Sequence, residues 1–317
     1  MKFNYDILDD TEKIIFALRS LYHEYGYRVY KMGKFEDYDL YSRNKDFLIS
    51  ENLITFTDTN GRLKALKPDV TLSIIKNNRD DPETTRKLCY NENVYRVSQG
   101  GNAFREIMQT GLECMGKVDE ECIAEVLLLA AKSLSLLQES FALEISDLDI
   151  LLRFVEDMTD REDVRRSLLR CVSEKNLHAL QEICTREEIA APKAERLGQL
   201  MQLYGPAMEV IPRLKELGGR LGLREETERL ERILQRLAGS GVEDRIRIDF
   251  SVMSNTRYYN GVTFQGFLAG LPRRVLSGGQ YNRLMRRMGK TSDAVGFAVY
   301  LDELDRLDLS GRGAEEP

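Results

Sequence analysis

Several residue types and patterns are scarce in this chain of 317 residues, and each scarcity argues against a class of protein. There is no tryptophan, and there are only two histidines and five cysteines. No apolar run approaches the ~20 residues that a membrane-spanning helix needs, and the acidic start MKFNYDILDD has no signal-peptide core. We therefore expect a cytoplasmic protein that does not span a membrane.

The cysteines and histidines form no pattern that is typical of a metal centre or a hydrolase. The cysteines are odd in number and lack the paired short spacings of zinc sites, which predicts reduced, mostly buried thiols at Cys89, Cys114, Cys122, Cys171 and Cys184. His23 lies in an amphipathic segment and His178 in a charged helical stretch, so neither has a nucleophile or a metal ligand beside it. A Ser-His-Asp hydrolase is therefore not expected.

Two signatures of nucleic-acid and nucleotide binding are also missing. Lysine and arginine total 46 against 52 acidic residues, and the resulting net charge of -6 argues against broad electrostatic capture of DNA or RNA. Neither a P-loop nor a GxGxxG turn is present, which removes the commonest nucleotide-binding motifs but leaves nucleotide binding itself open.

The pattern of apolar residues indicates an α+β protein. Asn60-Gly61 separates two short strands and suits a tight hairpin turn. Residues 87–96 and 104–116 read as two longer strands, and the apolar positions of 119–137 repeat at helical spacing. Because strands and helices do not alternate regularly as βαβ units, we expect a largely antiparallel sheet flanked by helices.

The same pattern predicts a division of the chain. Residues from about 149 to 237 have almost no β-patterning and many Leu, Glu and Arg residues, so they are interpreted as an inserted block of several helices. Strand patterns resume at 245–252 and continue through 258–268. We therefore predict one core built from residues 1–150 and 242–309, a helical insertion over 151–241, and a disordered tail over 310–317.

Strand alternation in residues 104–113 favours a candidate site. It places Gln109, Gly111 and Glu113 on one polar face, with apolar side chains on the other. A solvated sheet face explains this pattern equally well. Gly111 weakens a strand but leaves room for a close approach, and a helix follows at once, so the polar face is a candidate pocket floor.

Three other short motifs carry weak signals when each is taken alone. In YYNGVTF, alternation puts Tyr259 on the same side as Gly261, although Asn260-Gly261 is also a typical hairpin turn. The paired glycines of SGGQY precede a helix whose free N–H groups could face a ligand, or they form a plain strand-to-helix turn. Asp69 begins another helix, where it could serve simply as a cap.

Taken together and in order, these motifs resemble the catalytic core of histidyl-tRNA synthetases. The resemblance spans nearly the whole chain and rests on ALKPDVT (65–71), VYR with FREIMQTGLECMG (94–116), YYNGVTF (258–264), SGGQYNRLMRRMG (277–289) and AVGFAVYLDEL (294–304). It implies a class II aminoacyl-tRNA synthetase fold, which is a mostly antiparallel sheet flanked by helices and is usually dimeric. It also implies that the helical block is an insertion between the second and third motif groups.

Departures from the synthetase pattern indicate that the adenylation chemistry has been lost. The chain stops just after the last motif, so we expect no anticodon-binding domain and no charging of tRNA. Glu303 stands where the family has an arginine that binds the triphosphate, and Tyr300 replaces a small glycine. Two unit charges of like sign 4 Å apart repel by ~4 kcal/mol at an effective dielectric of 20. Ser254 occupies the position of an arginine that helps activate the substrate carboxylate.

The positions that correspond to the histidine pocket are better preserved. The resemblance assigns contacts with the imidazole and amino group of histidine to Asp69, Thr71, Gln109, Glu113, Tyr259 and Tyr281, with Asp69 in place of the usual glutamate. Carboxylate and amide groups can pair with both imidazole nitrogens and with an ammonium group. Arg96 retains the arginine of the second motif and is a candidate anion-binding residue. No catalytic residue, cofactor or metal is expected.

A synthetase core with these losses resembles the regulatory-subunit family of ATP phosphoribosyltransferase. The resemblance implies a non-catalytic chain, a homodimer within a hetero-oligomer, that partners the short catalytic subunit in histidine biosynthesis and makes it sensitive to feedback inhibition by histidine. Two alternatives remain open from the residues alone. One is a histidyl-tRNA synthetase-like enzyme that activates an amino acid for another acceptor, and the other is a synthetase-like module that binds an amino acid.

Overall fold

The computed structural model describes residues 7–48, 52–97, 103–253, 256 and 258–304. The polar loop at 98–102, Ser254 and the tail at 310–317, on which the sequence made predictions, lie outside these residues. The strands in chain order are β1 (Arg28–Val29), β2 (Phe35–Asp37), β3 (Thr55–Thr57), β4 (Leu63–Leu66), β5 (Arg86–Val97), β6 (Phe104–Gly116), β7 (Phe141–Asp147), β8 (Tyr204–Pro206), β9 (Ile246–Asp249), β10 (Asn260–Leu268), β11 (Leu276–Gln280) and β12 (Asp293–Tyr300).

The helices in chain order are α1 (Asp10–Glu24), α2 (Tyr38–Ser42), α3 (Val70–Asn77), α4 (Glu120–Leu137), α5 (Leu148–Met158), α6 (Glu162–Ser173), α7 (Leu177–Arg186), α8 (Ala191–Met201), α9 (Ala207–Gly219), α10 (Arg224–Gln235) and α11 (Asn282–Arg287). No helix in the described part of the chain is long and apolar enough to cross a membrane. All five cysteines are free thiols, and four of them are buried.

Nine strands form one large sheet in the order β1-β5-β6-β12-β11-β10-β7-β9-β8. Only the pairs β1–β5 and β7–β9 are parallel, and the other neighbours are antiparallel. The expected α+β fold with a mostly antiparallel sheet is therefore confirmed. β6 lies between β5 and β12 near one end of the order, and Thr71 of α3 contacts Glu113 on the polar face of β6.

A small second sheet has the order β2-β4-β3. The expected turn at Asn60-Gly61 joins β3 to β4, with the Asp58 N–H donating to the Arg62 carbonyl at 2.8 Å. Gly61 has φ +76°, a left-handed conformation that glycine adopts without a side-chain clash.

Helix α4 packs against the large sheet. Its sequence contains a capping residue, acidic residues in the first turn and an apolar face, and each of these favours a helix. Asp119 caps its start by accepting a hydrogen bond from the Cys122 N–H at 3.0 Å, and two glutamates follow at the positive end of the helix dipole. The apolar side chains that repeat at helical spacing are buried, including Ile123, Val126, Leu127, Ala130 and Leu134. Removing such a face from water is the main source of helix stability.

The segment from α5 to α10 contains six helices and the strand β8. This strand lies in a segment with almost no β-patterning, because it has only three residues and joins the sheet edge by pairing with β9. Buried residues of these helices, such as Leu168 and Leu214, belong to the same apolar cluster as those of the large sheet. The division into a core of 1–150 and 242–309 and an insertion of 151–241 stays a prediction.

Two glycine-containing motifs do not form the turns that the sequence left open as alternatives. Ser277, Gly278 and Gly279 lie within strand β11 rather than in a turn, and Asn260 begins strand β10 instead of a hairpin. A Cβ on Gly278 would lie 2.3 Å from the Gly296 carbonyl oxygen. This glycine therefore permits close packing between neighbouring strands, a requirement that cannot be distinguished from a turn by residue type alone. A short 3-10 turn, Leu301–Glu303, follows β12.

Candidate functional site

A cavity of about 200 Å³ lies over the polar face of β6. The start of α3, the strands β11 and β12 and an aromatic segment before β10 close it from the other sides. Its polar or aromatic lining residues include Asp69, Thr71, Tyr90, Arg96, Gln109, Glu113, Tyr258, Tyr259, Arg274, Ser277, Tyr281 and Tyr300. A small concave site with a few convergent polar groups is the usual form of a site for a small ligand.

Glu113 lies at the centre of the site and is held from two sides. The Thr71 hydroxyl donates to its Oε1 at 2.6 Å, and the Tyr281 hydroxyl donates to its Oε2 at 2.7 Å. Only 2% of Glu113 is exposed. On the adjacent strand, Gly296 pairs with Glu113, and a Cβ there would lie 1.9 Å from Oε2. The glycine is therefore required for the carboxyl group to occupy this position.

Burial controls the protonation of Glu113. Loss of solvation raises the pKa of its carboxyl group from 4.5 to about 8, and nearby Asp69 adds to the rise. The hydrogen bonds from Thr71 and Tyr281 oppose this effect without reversing it. A ligand that brings an N–H donor or a positive charge to Glu113 would stabilise the ionised form, so this site favours such a ligand.

Asp69 both caps α3 and contributes charge to the cavity. Its Oδ1 accepts from the Leu72 N–H at 2.9 Å, while its Oδ2 lies 3.9 Å from a terminal nitrogen of Arg96. Burial raises the pKa of the Asp69 carboxyl group, and the Arg96 guanidinium opposes the rise. Arg96 is oriented by donating from Nε to the Pro68 carbonyl at 2.6 Å. Asp69 can therefore cap α3 and contribute a carboxyl group to the cavity at the same time.

The side-chain amide of Gln109 has a donor, Nε2, that forms no hydrogen bond with any described residue. Only 2% of its surface is exposed, and its buried Nε2 has no hydrogen-bond partner among the residues that the structure describes. A buried polar group without a partner costs about 1–3 kcal/mol. Because Gln109 lines the cavity four residues before Glu113 on β6, a ligand acceptor here would recover that cost.

Three tyrosines form an aromatic wall of the cavity. The rings of Tyr258 and Tyr259 are 4.5 Å apart, and those of Tyr258 and Tyr281 are 6.0 Å apart. Burial raises the pKa of all three phenols well above the usual range, so they remain neutral hydrogen-bonding groups. Tyr258 was not predicted from the sequence as a site residue. Strand alternation was assumed from residue 258 onwards, but the strand begins only at Asn260, so alternation does not determine where Tyr258 points.

The cavity is also lined by Arg274, Ser277 and Tyr300, and Tyr300 on β12 pairs with Gln109 on β6. The hydroxyl groups of Ser277 and Tyr300 lie 2.8 Å apart, so the tyrosine side chain crosses from β12 to β11. Arg274 comes just before β11 and was also missed, because no motif in its neighbourhood distinguishes it from the adjacent Arg273. Glu303 is not among the cavity-lining residues, and its Oε1 lies 3.7 Å from Arg273.

The structure brings together most of the residues singled out from the sequence. The six positions expected to contact histidine line the cavity together with Arg96 and Tyr300, while Ser254 lies outside the described residues. Gly111 does not open a space for a ligand, because a Cβ there would lie 2.2 Å from the Phe297 carbonyl oxygen and 2.7 Å from the Tyr90 hydroxyl. The roles of these residues in ligand binding stay predictions.

The arrangement suits binding of a small zwitterion with N–H groups. The carboxyl groups of Asp69 and Glu113 can accept from an ammonium or from ring N–H groups, and the amide N–H of Gln109 can donate to an acceptor such as an unprotonated ring nitrogen. Arg96 and Arg274 supply positive charge. Among the described residues, no group of three or more His, Cys, Asp or Glu side chains could hold a metal ion.

Comparisons with known proteins agree with the architecture. The family model described as histidyl-tRNA synthetase matches residues 8–304. The chain is 33% identical over 296 residues to an ATP phosphoribosyltransferase regulatory subunit from Thermoanaerobacter sp. (strain X514), covering 92% of this chain and 76% of that protein.

Two solved structures show the same fold. A protein from Bacillus halodurans C, described as an ATP phosphoribosyltransferase regulatory subunit/histidyl-tRNA synthetase, aligns with TM-score 0.81 and 23% identity, covering 100% of this chain and 84% of that one. A chain of the ATP phosphoribosyl transferase (HisG:HisZ) complex from Thermotoga maritima aligns with TM-score 0.72 and 20% identity, covering 92% and 97%. These alignments confirm a class II synthetase-like fold.

Proposed function

The chain belongs to the family of ATP phosphoribosyltransferase regulatory subunits, within the wider histidyl-tRNA synthetase family, and from this premise we propose that it regulates that enzyme without catalysing a reaction itself. In this proposal the chain is a cytoplasmic subunit for histidine biosynthesis. It is needed for activity of a short catalytic subunit and makes that activity sensitive to histidine.

The geometry around Glu113 is the observation that carries the proposed histidine site. Thr71 and Tyr281 fix both carboxyl oxygens, so the group can accept from a ring N–H in a set direction. The unpartnered Nε2 of Gln109 lies on the same face of β6. Asp69, at the start of α3, is placed to pair with an ammonium group, and Tyr259 contributes to the aromatic wall. Imidazole and amino groups together satisfy this set of partners.

The ATP-binding part of a synthetase site is altered in ways that support a non-catalytic role. Tyr300 forms a hydrogen bond with Ser277 at one end of the cavity and occupies space that a glycine would leave free. Glu303 places a carboxylate beside Arg273 instead of a cation for a triphosphate. Because both changes oppose nucleotide binding, amino-acid binding without adenylation is the function that this site supports best.

The proposed partner is a short-form ATP phosphoribosyltransferase catalytic subunit. Relatives of this chain carry the name of the regulatory subunit, and a structurally similar chain comes from a complex of the two kinds of subunit. We also propose that the chain forms a homodimer within this hetero-oligomer. The effect of histidine then requires that it binds two states of the assembly unequally, with a coupling free energy of typically ~1–3 kcal/mol.

Reconstitution tests the proposal directly. Phosphoribosyl-ATP formation is measured with a short catalytic subunit from the same genome, with and without this chain. We expect the rate to depend on this chain and to saturate at a fixed molar ratio. A rate that is unchanged at every ratio would contradict the proposed partnership.

A further inference from the structure

Arg274 is a specificity-determining residue for the ligand of the Glu113 cavity. We infer that its guanidinium binds the α-carboxylate of the amino acid, in place of the arginine that the synthetase pattern has at position 254. This inference rests on the proposed function, since it assumes that the cavity binds histidine.

Among the residues that the structure describes, the charged side chains that line the cavity are those of Asp69, Glu113, Arg96 and Arg274. Arg96 is already committed, because its Nε donates to the Pro68 carbonyl and a terminal nitrogen lies 3.9 Å from Asp69. The guanidinium of Arg274 makes no hydrogen bond or ion pair with any residue that the structure describes. Of the two described lining cations, Arg274 is therefore the one that is available for an anionic group of a ligand.

Arg274 and Glu113 lie at different places along the cavity, as the carboxylate and the ring do in an amino acid such as histidine. Glu113 pairs with Gly296 on β12, whereas Arg274 precedes β11 at the level of Tyr300, which pairs with Gln109 and donates its N–H to the Val275 carbonyl. Burial raises the pKa of Tyr259, and the positive charge of Arg274 opposes that rise, which places the guanidinium near the aromatic wall. An amino acid has its carboxylate and its ring at opposite ends, so it can bridge Glu113 and Arg274.

Arginine suits this task because its planar guanidinium can donate two parallel hydrogen bonds to one carboxylate. Arg274 is exposed, so its side chain must be ordered when the ligand binds, and part of the interaction energy offsets that loss of freedom. We therefore expect Arg274 to favour histidine over ligands that lack the carboxylate. Glutamine at this position would remove the charge but keep a polar side chain.

Calorimetric titration of the full chain with histidine and with histamine tests this inference, because histamine lacks only the carboxylate. We expect Arg274→Gln to weaken histidine binding roughly 10-fold or more and to change histamine binding by less than about 2-fold. Arg274→Lys should recover part of the lost affinity, since it restores the charge without the paired donors. If Arg274 had only a structural role, Arg274→Gln would lower the affinity for histidine and for histamine equally, and that result would overturn the inference.

Arg273→Gln is the matched control. Arg273 carries the same charge one residue earlier, but it lies beside Glu303 and is not among the lining residues. We expect this variant to bind histidine like the wild type. If the wild type binds histidine and Arg274→Gln binds it equally well, the inference is wrong and the proposed function stands. If the wild type binds no histidine, both the inference and the proposed effector are wrong.

Discussion

Gly296 and Glu113 face each other on adjacent strands, and a Cβ on Gly296 would lie 1.9 Å from Oε2 of Glu113. The glycine and the acid are therefore interdependent: the backbone of β12 must approach closely for the carboxyl group to reach Thr71 and Tyr281. Neither residue on its own accounts for the position of the carboxyl group.

Gly296→Ala should displace the Glu113 carboxyl group and weaken histidine binding by roughly 10-fold or more, because a packed interior cannot absorb the added methyl group. Calorimetric titration measures the affinity. Gly219→Ala is a suitable control, since a Cβ there meets no atom within 4 Å. An unchanged histidine affinity in Gly296→Ala would show that Glu113 does not need this position.

Gln109→Ala and Glu113→Ala should each abolish detectable histidine binding while leaving the chain folded. Each variant removes a buried group that the ligand is expected to satisfy, and truncation of one partner of a charged hydrogen bond is costly. Glu106→Ala on the same strand is the control, because Glu106 is exposed, accepts hydrogen bonds from Asn93 and Tyr95 and is not among the cavity-lining residues. Wild-type affinity in both site variants, with unchanged circular dichroism, would refute the assignment of the site.

The raised pKa of Glu113 makes the stability of the ligand-free chain depend on pH. The folded state holds this proton more tightly than the unfolded state, whose carboxyl group titrates near 4.5, so the contribution is present below that pH. It is lost as the pH rises through about 8. Glu113→Gln should therefore gain at least about 1 kcal/mol relative to the wild type between pH 5 and pH 8.

Denaturant unfolding of both proteins at these two pH values, without histidine, measures the difference. The comparison between variant and wild type cancels the titration of other groups that the two chains share. A difference in unfolding free energy that is the same at pH 5 and pH 8 would mean that Glu113 titrates normally.

Glu303→Arg alone should not restore amino-acid activation. The new arginine would lie beside Arg273, Tyr300 would still bond to Ser277, and position 254 would still be a serine. The assay is exchange of labelled pyrophosphate into ATP in the presence of histidine, with a histidyl-tRNA synthetase as the positive control. Exchange by the wild type would instead favour the enzyme alternative, and exchange gained by this single variant would show that the other two changes matter little.

The sequence predicted the elements whose patterns are long and regular. The bounds of β6 were predicted from its strand pattern, and α4 from its repeating apolar face, because each sequence pattern persists over many residues. β8 could not be predicted, since three residues carry no period and the strand depends on pairing with β9. The parallel pairing of β1 with β5 also depends on the tertiary fold.

The sequence motifs predicted the central residues of the candidate site. They did not predict the contacts that hold those residues in position. Glu113 and Gln109 could be selected from their shared strand face, but the requirement for Gly296 depends on the distance between two strands. Tyr258 was missed because it precedes the strand, and Arg274 because its role follows from the space it faces and not from its neighbours in the chain. Such relationships appear only when distant segments are brought together.

Histidine titration of the reconstituted enzyme, with wild-type chain and with Glu113→Ala, is the measurement that tests the central claim most directly. We predict that both chains support phosphoribosyl-ATP formation by the short catalytic subunit, that histidine inhibits the complex with the wild type, and that the Glu113→Ala complex is insensitive to histidine. Equal inhibition of both complexes would contradict the claim that histidine acts through this cavity, and activity that does not require either chain would contradict the regulatory role.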